Sequence, residues 1–308
     1  VETHQPRIGP RACGRIAIEP VAARDVTGVM MGCVVHGALL AQTGPRPQSR
    51  IYPMSDNPAD FTRIRLFVED DLATGAGFTL GRDQSHYLQN VMRRGVGDRV
   101  AIFNGRDGEF WAELTDARRG AVGLSLGEQF RAQAPEPDLW LVFAPIKRTA
   151  VNFMVTKATE LGVSRIVPVI TARTNSERVN TRRLRANAIE AAEQSERLSV
   201  PEVDEPVRFP AFLERWSGTR RLLVGDETGA GRPIADIAAE MAQTPVPLAV
   251  MTGPEGGFAP DELDQLRDVP FVTPVGLGPR VLRADTAALA ALAVVQAVAG
   301  DWRSGRMG

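Results

Sequence analysis

The sequence predicts an α/β protein built on a parallel sheet, preceded by a smaller and mostly β domain. The first observation is that short apolar runs alternate with helical patterns after Leu139. Near-continuous apolar strands that alternate with helices are typical of a parallel sheet with both faces covered. The second is a series of short strand-like runs between Arg63 and Phe130, bounded by Gly, Asp and Asn turns. A chain of 308 residues has room for both domains.

Residues 1–60 differ from the rest because they carry no sustained helical or strand period. We predict a disordered extension or an over-extended gene start, with Met54 as an alternative start. The apolar stretch 29–40 resembles a signal-peptide core. Two glycines and a histidine interrupt it, which disfavours a cleaved secretory signal.

Residues 61–131 are predicted to form the small β domain. Its one helix is predicted at 83–94, where Tyr87, Leu88 and Val91 recur at helical spacing. The stretch 131–138 contains two prolines and is the predicted linker. The predicted strands are 63–69, 78–81, 99–104, 110–115 and 122–126.

Residues 138–304 are predicted to form the α/β domain. Its last helix is largely Ala, Leu and Val, so we expect it to be buried or to lie in a subunit interface. The predicted strands are 139–145, 165–170, 221–225, 248–252 and 271–276, and the predicted helices are 150–161, 181–197, 234–241, 260–267 and 286–298.

Composition excludes several classes of function. No apolar run reaches the roughly 18 residues of a membrane helix, so we expect no membrane partner. Both cysteines, Cys13 and Cys33, precede the predicted domains, and only three histidines are present, so we expect no metal site. The net charge is −1, but residues 147–197 hold ten Lys/Arg against five Asp/Glu. That excess fits either a solvated helix face or a surface for a phosphate backbone.

Two glycine- and proline-rich turns each follow an apolar run: GPEGG at 253–257 and LGPRVLRADT at 277–286. The carboxyl ends of parallel strands meet at one edge of a sheet, so these turns are predicted to line one ligand crevice. Neither turn carries the lysine of a P-loop or the glycine spacing of a dinucleotide fingerprint, which argues against those ligands. Read alone, GPEGG is also compatible with a simple tight turn.

The second turn places Arg280 and Arg283 beside Asp285. Ordering two arginines in a turn is costly unless they bind an anion or a carboxylate. A salt bridge to Asp285 or Glu255 explains one of them, and either Asp285 or Thr286 can cap the following helix.

The motifs resemble, in order, those of the RsmE family of SPOUT methyltransferases. The resemblance covers about residues 63–300. Two positions depart from the family pattern: Asp285 stands where glutamate is more common, and Ser85 where a second histidine is common. The matching motifs are RLFV (65–68), HYL (86–88), RRGVGDR (93–99), FNG (103–105), KATELGV (157–163), EAAEQS (190–195) with Arg197, GPEGGF (253–258) and LGPRVLRADTA (277–287).

The resemblance implies a SPOUT-type parallel sheet with a C-terminal trefoil knot, preceded by a small PUA-like β-barrel domain. It implies a cytoplasmic homodimer that binds S-adenosylmethionine near the subunit interface. The expected reaction is methylation of uridine N3 in the decoding region of 16S ribosomal RNA, as naked RNA or in the assembled small subunit. Two alternatives remain: a SPOUT enzyme of other specificity, such as ribose 2′-O methylation, and a non-catalytic RNA-binding or ribosome-assembly protein.

The resemblance and the residues together give the candidate site. Catalytic roles are expected for Arg280, Arg283 and Asp285, with Asp285 or Glu255 as proton acceptor. Glu193, Gln194 and Arg197 either line the crevice or support its packing. The expected cofactor contacts are Thr252, Gly253, Pro254, Glu255, Gly256, Gly257, Leu277, Gly278, Arg280, Val281, Leu282 and Thr286, and the expected RNA contacts are Arg65, Arg93, Arg94, Lys147 and Arg173.

Overall fold

The computed structural model describes residues 64–118, 120–175, 178–226, 228–229 and 231–303. The predicted extension, residues 1–60, lies outside the described residues. The described residues form two sheets, and the segment 132–138 connects the last strand of the first sheet to the first strand of the second.

The first sheet has five strands in the order β1-β3-β4-β5-β2. β1 and β3 are parallel, and the remaining neighbours are antiparallel. Alternate residues of β5 (Val122, Leu124 and Leu126) are buried, as expected for a strand with one face on a core. The strands are β1 (Arg65–Phe67), β2 (Gly77–Thr79), β3 (Arg99–Phe103), β4 (Glu109–Arg118) and β5 (Ala121–Arg131).

The helix predicted at 83–94 is shorter in the structure than predicted, and its second half is π-helical. It comprises α1 (Arg82–His86) and a π-helical turn over Tyr87–Val91. Arg93 then takes the left-handed conformation, with φ of 53°. The amide of Arg94 donates back to the carbonyl of Leu88 at 2.8 Å. The bond spans one residue more than the usual 6→1 bond of a helix terminus, in keeping with the wider π-helical turn before it, and the helix ends before Arg94.

Ser85 has a structural role in the β domain. Its side chain is fully buried in α1. The hydroxyl donates to the carbonyl of Leu80 at 3.1 Å and accepts from the amide of Val122 at 3.0 Å. The small side chain therefore joins α1 to β5.

The second sheet is parallel throughout and has the path β11-β13-β10-β12-β6-β7-β8, with β9 also pairing with β7. It confirms the predicted α/β class; the trefoil knot stays a prediction. The strands are β6 (Leu139–Phe143), β7 (Arg165–Ile170), β8 (Glu202–Val203), β9 (Val207–Arg208), β10 (Arg221–Gly225), β11 (Arg232–Pro233), β12 (Leu248–Thr252) and β13 (Val272–Gly276).

Helices cover both faces of this sheet. One face packs against α2, α3, α5 and α7 through residues such as Met154, Ile237 and Leu292. The other packs against α4 and α6 through Phe212 and Leu266. The helices are α2 (Arg148–Glu160), α3 (Thr181–Gln194), α4 (Phe209–Arg215), α5 (Ile234–Gln243), α6 (Pro260–Asp268) and α7 (Ala284–Ala299).

The strand path decides which loops meet. β10 lies between β12 and β13, and all three are parallel. β6 and β7 follow on the other side of β12. The loops after β13, β10, β12, β6 and β7 therefore emerge in that order along one side of the sheet, which we call the carboxyl edge. Among the described residues, no helix is both long and apolar enough to cross a membrane.

Gly231 makes a close approach that supports the carboxyl edge. It precedes β11, and a Cβ added there would lie 2.5 Å from the carbonyl carbon of Val275 in β13. We expect Gly231→Ala to lower the free energy of unfolding by about 1–3 kcal/mol through overpacking. Gly218→Ala is the control, because no atom lies within 4 Å of its added Cβ. Urea denaturation measures both, and equal midpoints for the two variants would contradict the expectation.

Candidate active site

The GPEGG loop follows β12 directly, and the last residue of that strand has a buried polar atom without a hydrogen-bond partner. Thr252, the last residue of β12, is 3% exposed, and its Oγ1 makes no hydrogen bond within the described part of the chain. Gly257 has φ of 67°, a conformation that favours glycine. Gly253 is half-buried, Pro254 is buried, and Glu255 and Gly256 are exposed. The loop thus offers accessible backbone next to an unsatisfied hydroxyl, as expected of a ligand site.

Glu262 holds this loop in place, and our sequence reasoning assigned it no role. It lies in the first turn of α6 and is 7% exposed. One carboxylate oxygen accepts from the amide of Ala259 at 2.9 Å, and the other accepts from the amide of Ala172 at 2.7 Å. The local bond has a sequence signal, an acid three residues after the cap position. The bond to the loop after β7 has none.

Arg173 lies in the loop after β7 and contacts GPEGG directly. Its Nη1 donates to the carbonyl of Gly256 at 2.8 Å, while its side chain stays exposed. Lys147, in the loop after β6, is also exposed. Both predicted RNA contacts therefore lie at the carboxyl edge beside the glycine loop.

The loop after β13 presents its arginines without partners. Gly278 has φ of 97°, and Val281 is 85% exposed. Arg280 and Arg283 are exposed, and neither side chain makes a hydrogen bond or ion pair with another described residue. The predicted alternative, a salt bridge to Asp285 or Glu255, is thus absent from the described chain.

Asp285 and Thr286 lie in the first turn of α7. Oδ1 of Asp285 accepts from the amide of Thr286 at 2.8 Å, so Asp285 satisfies one of the free amides at the helix start. Of the other expected cofactor contacts in this loop, Leu277 and Leu282 are half-buried, and Gly278 and Thr286 are exposed. Leu277 packs against the core beneath the sheet, and Leu282 does not.

Two predicted RNA contacts lie in the β domain. Arg93 is exposed, in its left-handed conformation. Arg94 is half-buried, and its Nη1 lies 3.9 Å from Oδ1 of Asp98, a weak pair. The structure does not bring either residue to the carboxyl edge, since both belong to the segment between α1 and β3.

The structure contradicts the prediction that Arg65 contacts RNA. Its side chain is 2% exposed and forms an ion pair with Glu109, whose side chain is 0% exposed. Its remaining nitrogens donate to carbonyls of the second domain. No nitrogen remains accessible for a phosphate, and sequence alone could not separate this arginine from the exposed ones.

Three exposed arginines at the start of α3 were not singled out from the sequence. Arg178, Arg182 and Arg183 are exposed, and their side chains make no hydrogen bond or ion pair with other described residues. Their positive charge lies at the positive end of the helix dipole, an unfavourable location. The signal for them was the excess of basic residues in 147–197. No group of three metal-ligating side chains occurs among the residues described.

Known proteins and protein families resemble this chain over most of its length. The model of the RNA methyltransferase domain matches residues 133–296, and that of the RNA methyltransferase PUA domain matches residues 80–125. A ribosomal RNA small subunit methyltransferase E from Rickettsia conorii is 33% identical over 233 residues, which cover 75% of this chain and 94% of that protein. The chain belongs to this methyltransferase family. A protein of the same name from Synechocystis is 33% identical over 268 residues, which cover 86% of this chain and 88% of that protein.

Two solved structures of methyltransferases share this fold. One from Neisseria gonorrhoeae, bound to S-adenosyl methionine, is 25% identical with a TM-score of 0.71, covering 78% of this chain and 100% of that one. A Legionella pneumophila methyltransferase in complex with the same cofactor is 27% identical with a TM-score of 0.71, covering 78% and 99%.

The Glu262 bridge yields a test of how the glycine loop is held. Glu262→Ala leaves the amides of Ala172 and Ala259 without their acceptor, at a cost of about 1–3 kcal/mol each. We expect amide hydrogen exchange across residues 253–259 to become at least about tenfold faster. Asp261→Ala is the control, because Asp261 is exposed in the same helical turn. Equal exchange in the two variants would show that another contact holds the loop.

Proposed function

We propose that this protein transfers the methyl group of S-adenosylmethionine to N3 of a uridine in the decoding region of 16S ribosomal RNA. The observation that carries the proposal is the pair of unpartnered arginines, Arg280 and Arg283, at the same sheet edge as the glycine loop. Family membership supports small-subunit ribosomal RNA as the substrate, and the cofactor in two structural relatives supports S-adenosylmethionine. We further propose that the protein acts in the cytoplasm, where small subunits are assembled.

The residues of the edge fit this cofactor. The free hydroxyl of Thr252 and the exposed backbone of Glu255 and Gly256 can hold polar groups of the adenosine and methionine moieties. The backbone of residues 277–282, with Thr286, would complete the cofactor site. When bound, S-adenosylmethionine supplies a methyl group that is already electrophilic because it is attached to a sulfonium.

The task of the protein's own groups is to make uridine N3 nucleophilic. N3 is a poor nucleophile while it is protonated, and its anion carries charge on O2 and O4. A guanidinium placed beside one of these oxygens stabilises the anion, and Arg280 or Arg283 is free to do so. Because Oδ1 of Asp285 is occupied by the amide of Thr286, Oδ2 is the oxygen available to accept the N3 proton or to orient an arginine. Glu255, exposed in the glycine loop, is the other proton acceptor.

The target base must leave its pair, because N3 lies on the Watson–Crick edge. The RNA backbone around it is proposed to follow the basic side chains of the carboxyl edge, Lys147 and Arg173, and to continue over the start of α3. Arg178, Arg182 and Arg183 extend the same charge there, which explains a placement that opposes the helix dipole. Arg93 and Arg94 would hold RNA on the β domain.

Two features of the fold also belong to the proposal. We propose a trefoil knot at the C-terminus, as the resemblance of the sequence motifs implies, and the pairing of β13 with β10 past the intervening β12 is compatible with it. We also propose a homodimer formed on α2 and α7. These helices pack side by side, and Phe153 of α2 is 51% exposed beside the apolar sequence of α7.

Arg280→Ala tests the reaction. We expect kcat for methylation of small ribosomal subunits to fall by about 10²–10³-fold, as when a transition-state donor is removed. The thermal midpoint should stay unchanged, because the side chain has no partner among the described residues. Arg215→Ala is the control, because Arg215 is an exposed arginine of α4, on the face of the sheet opposite to α7.

Mass spectrometry of the digested RNA identifies the methylated atom. N3-methyluridine is the expected product, and a 2′-O-methyl group would contradict the specificity. Absence of methylation together with tight RNA binding would favour the non-catalytic alternative. Near-normal activity of Arg280→Ala would mean that another group stabilises the anion.

The dimer is tested by light scattering. The wild type is expected at twice the mass of the chain and Phe153→Asp at the mass of one chain, because a carboxylate cannot be buried unpaired in an apolar interface. Val91→Asp is the control, since Val91 is 58% exposed in the β domain. A monomeric wild type would refute the proposed homodimer.

A further inference from the structure

Arg65 joins the two domains through the C-terminal end of α3. Its Nε donates to Oε1 of Glu109 at 2.5 Å within the β domain. Its Nη1 donates to the carbonyls of Ala192 at 2.8 Å and Glu193 at 2.9 Å, and its Nη2 donates to that of Arg197 at 2.7 Å. These carbonyls belong to the last turn of α3 and the residues just after it, where a helix has no internal donors left. The cation also complements the negative end of the helix dipole.

Glu109 couples this contact to a second arginine. Its Oε2 accepts from Nη1 of Arg131 at 3.0 Å, and the same nitrogen donates to the carbonyl of Glu196 at 3.1 Å. A third link is backbone to side chain: the amide of Phe67 donates to Oε1 of Glu193 at 2.9 Å. β1, β4 and β5 are thereby all connected to the same end of α3.

Arg197 extends the contact into the rest of the α/β domain. Its Nη1 donates to the carbonyls of Thr159 at 2.6 Å and Val163 at 3.0 Å, at and beyond the end of α2. Its Nη2 pairs with Glu136 of the connecting segment. One hydrogen-bond network therefore joins three motifs that have no evident role in catalysis. These are RLFV (65–68), KATELGV (157–163) and EAAEQS (190–195) with Arg197.

We infer that this network, the interdomain clamp, fixes the angle between the β domain and the carboxyl edge, with Arg65 as a positioning residue for the ribosomal RNA. The clamp holds one end of α3, and the other end carries Arg182 and Arg183 at the carboxyl edge. The inference rests on the proposed function, since it assigns the β domain a share of RNA binding.

The length of α3 shows why the angle matters. Its 14 residues span about 20 Å, so a tilt of about 10° at the clamp displaces the far end by about 3–4 Å. A displacement of about 1 Å between reacting groups is enough to reduce turnover by about 100-fold. Relative motion of two domains is the default unless their interface is large and hydrophobic, so a fixed angle here requires a directional contact. A directional, buried guanidinium supplies such a contact.

Arg65→Lys is the variant of choice because it keeps the charge and loses the guanidinium fork. We expect kcat/KM on assembled small subunits to fall by about 100-fold, mainly through kcat. On a short RNA hairpin that carries the target uridine and does not reach the β domain, the loss should stay within about threefold. Binding of S-adenosylmethionine, measured by calorimetry, should be unchanged. Arg118→Lys is the matched control, an exposed arginine that pairs with Asp116 of the same strand, β4.

The interdomain distance gives a readout independent of activity. Spin labels at Glu113→Cys and Asp261→Cys, in a full chain with Cys13 and Cys33 replaced by serine, report on the two domains. The distance distribution should broaden in Arg65→Lys and stay narrow in Arg118→Lys. If Arg65→Lys does not fold, Arg131→Gln removes only a half-buried arm of the clamp and should give a smaller broadening of the same kind.

Unchanged distance distributions, or equal losses on hairpin and subunit, would overturn the inference and leave Arg65 a purely structural residue. If the wild type makes no N3-methyluridine, the proposed function fails. The distance measurement then still decides whether the clamp sets the angle.

Discussion

The structure depends on the placement of β10 between β12 and β13 in a sheet whose strands are all parallel. This path brings two loops that are about 20 residues apart in sequence to one edge, and it adds the loops after β6 and β7 beside them. The apolar strands exclude water beneath, so polar and charged groups concentrate at the edge. Glu262 then joins two of these loops through backbone amides, which leaves their side chains free.

Burial separates two groups among the arginines of this chain. Arg65, Arg197 and Arg220 are less than 9% exposed, and each is paired with a carboxylate and with backbone carbonyls. Arg280 and Arg283 are exposed and have no partner among the described residues. A buried guanidinium requires full pairing, whereas an exposed one keeps its hydrogen-bonding capacity for a ligand. The same residue type thus holds the domains together in one place and is available for RNA or an anionic base in another.

Local patterns predicted the regular elements well and the long-range contacts poorly. The strands β7, β10 and β12 have the bounds that the apolar runs indicate, because a covered parallel strand is apolar along its whole length. The two-residue strands β8, β9 and β11 and the seven-residue α4 are too short to show a period. The burial of Arg65 depends on partners 127–132 residues away, and that of Glu262 on one 90 residues away. Spacing within the sequence carries no information about such pairs.

The position of β13 also governs the order in which the molecule can be completed during synthesis. Leu222, Leu223 and Val224 of β10 are buried, and one side of that strand pairs only with β13, which is translated about 50 residues later. Until residues 272–276 leave the ribosome, β10 is an apolar edge strand, a template for aggregation. Residues 272–283 therefore close the sheet and deliver the arginine loop in one event. A chain that terminates early lacks the site and also exposes the strand that would mark it for degradation.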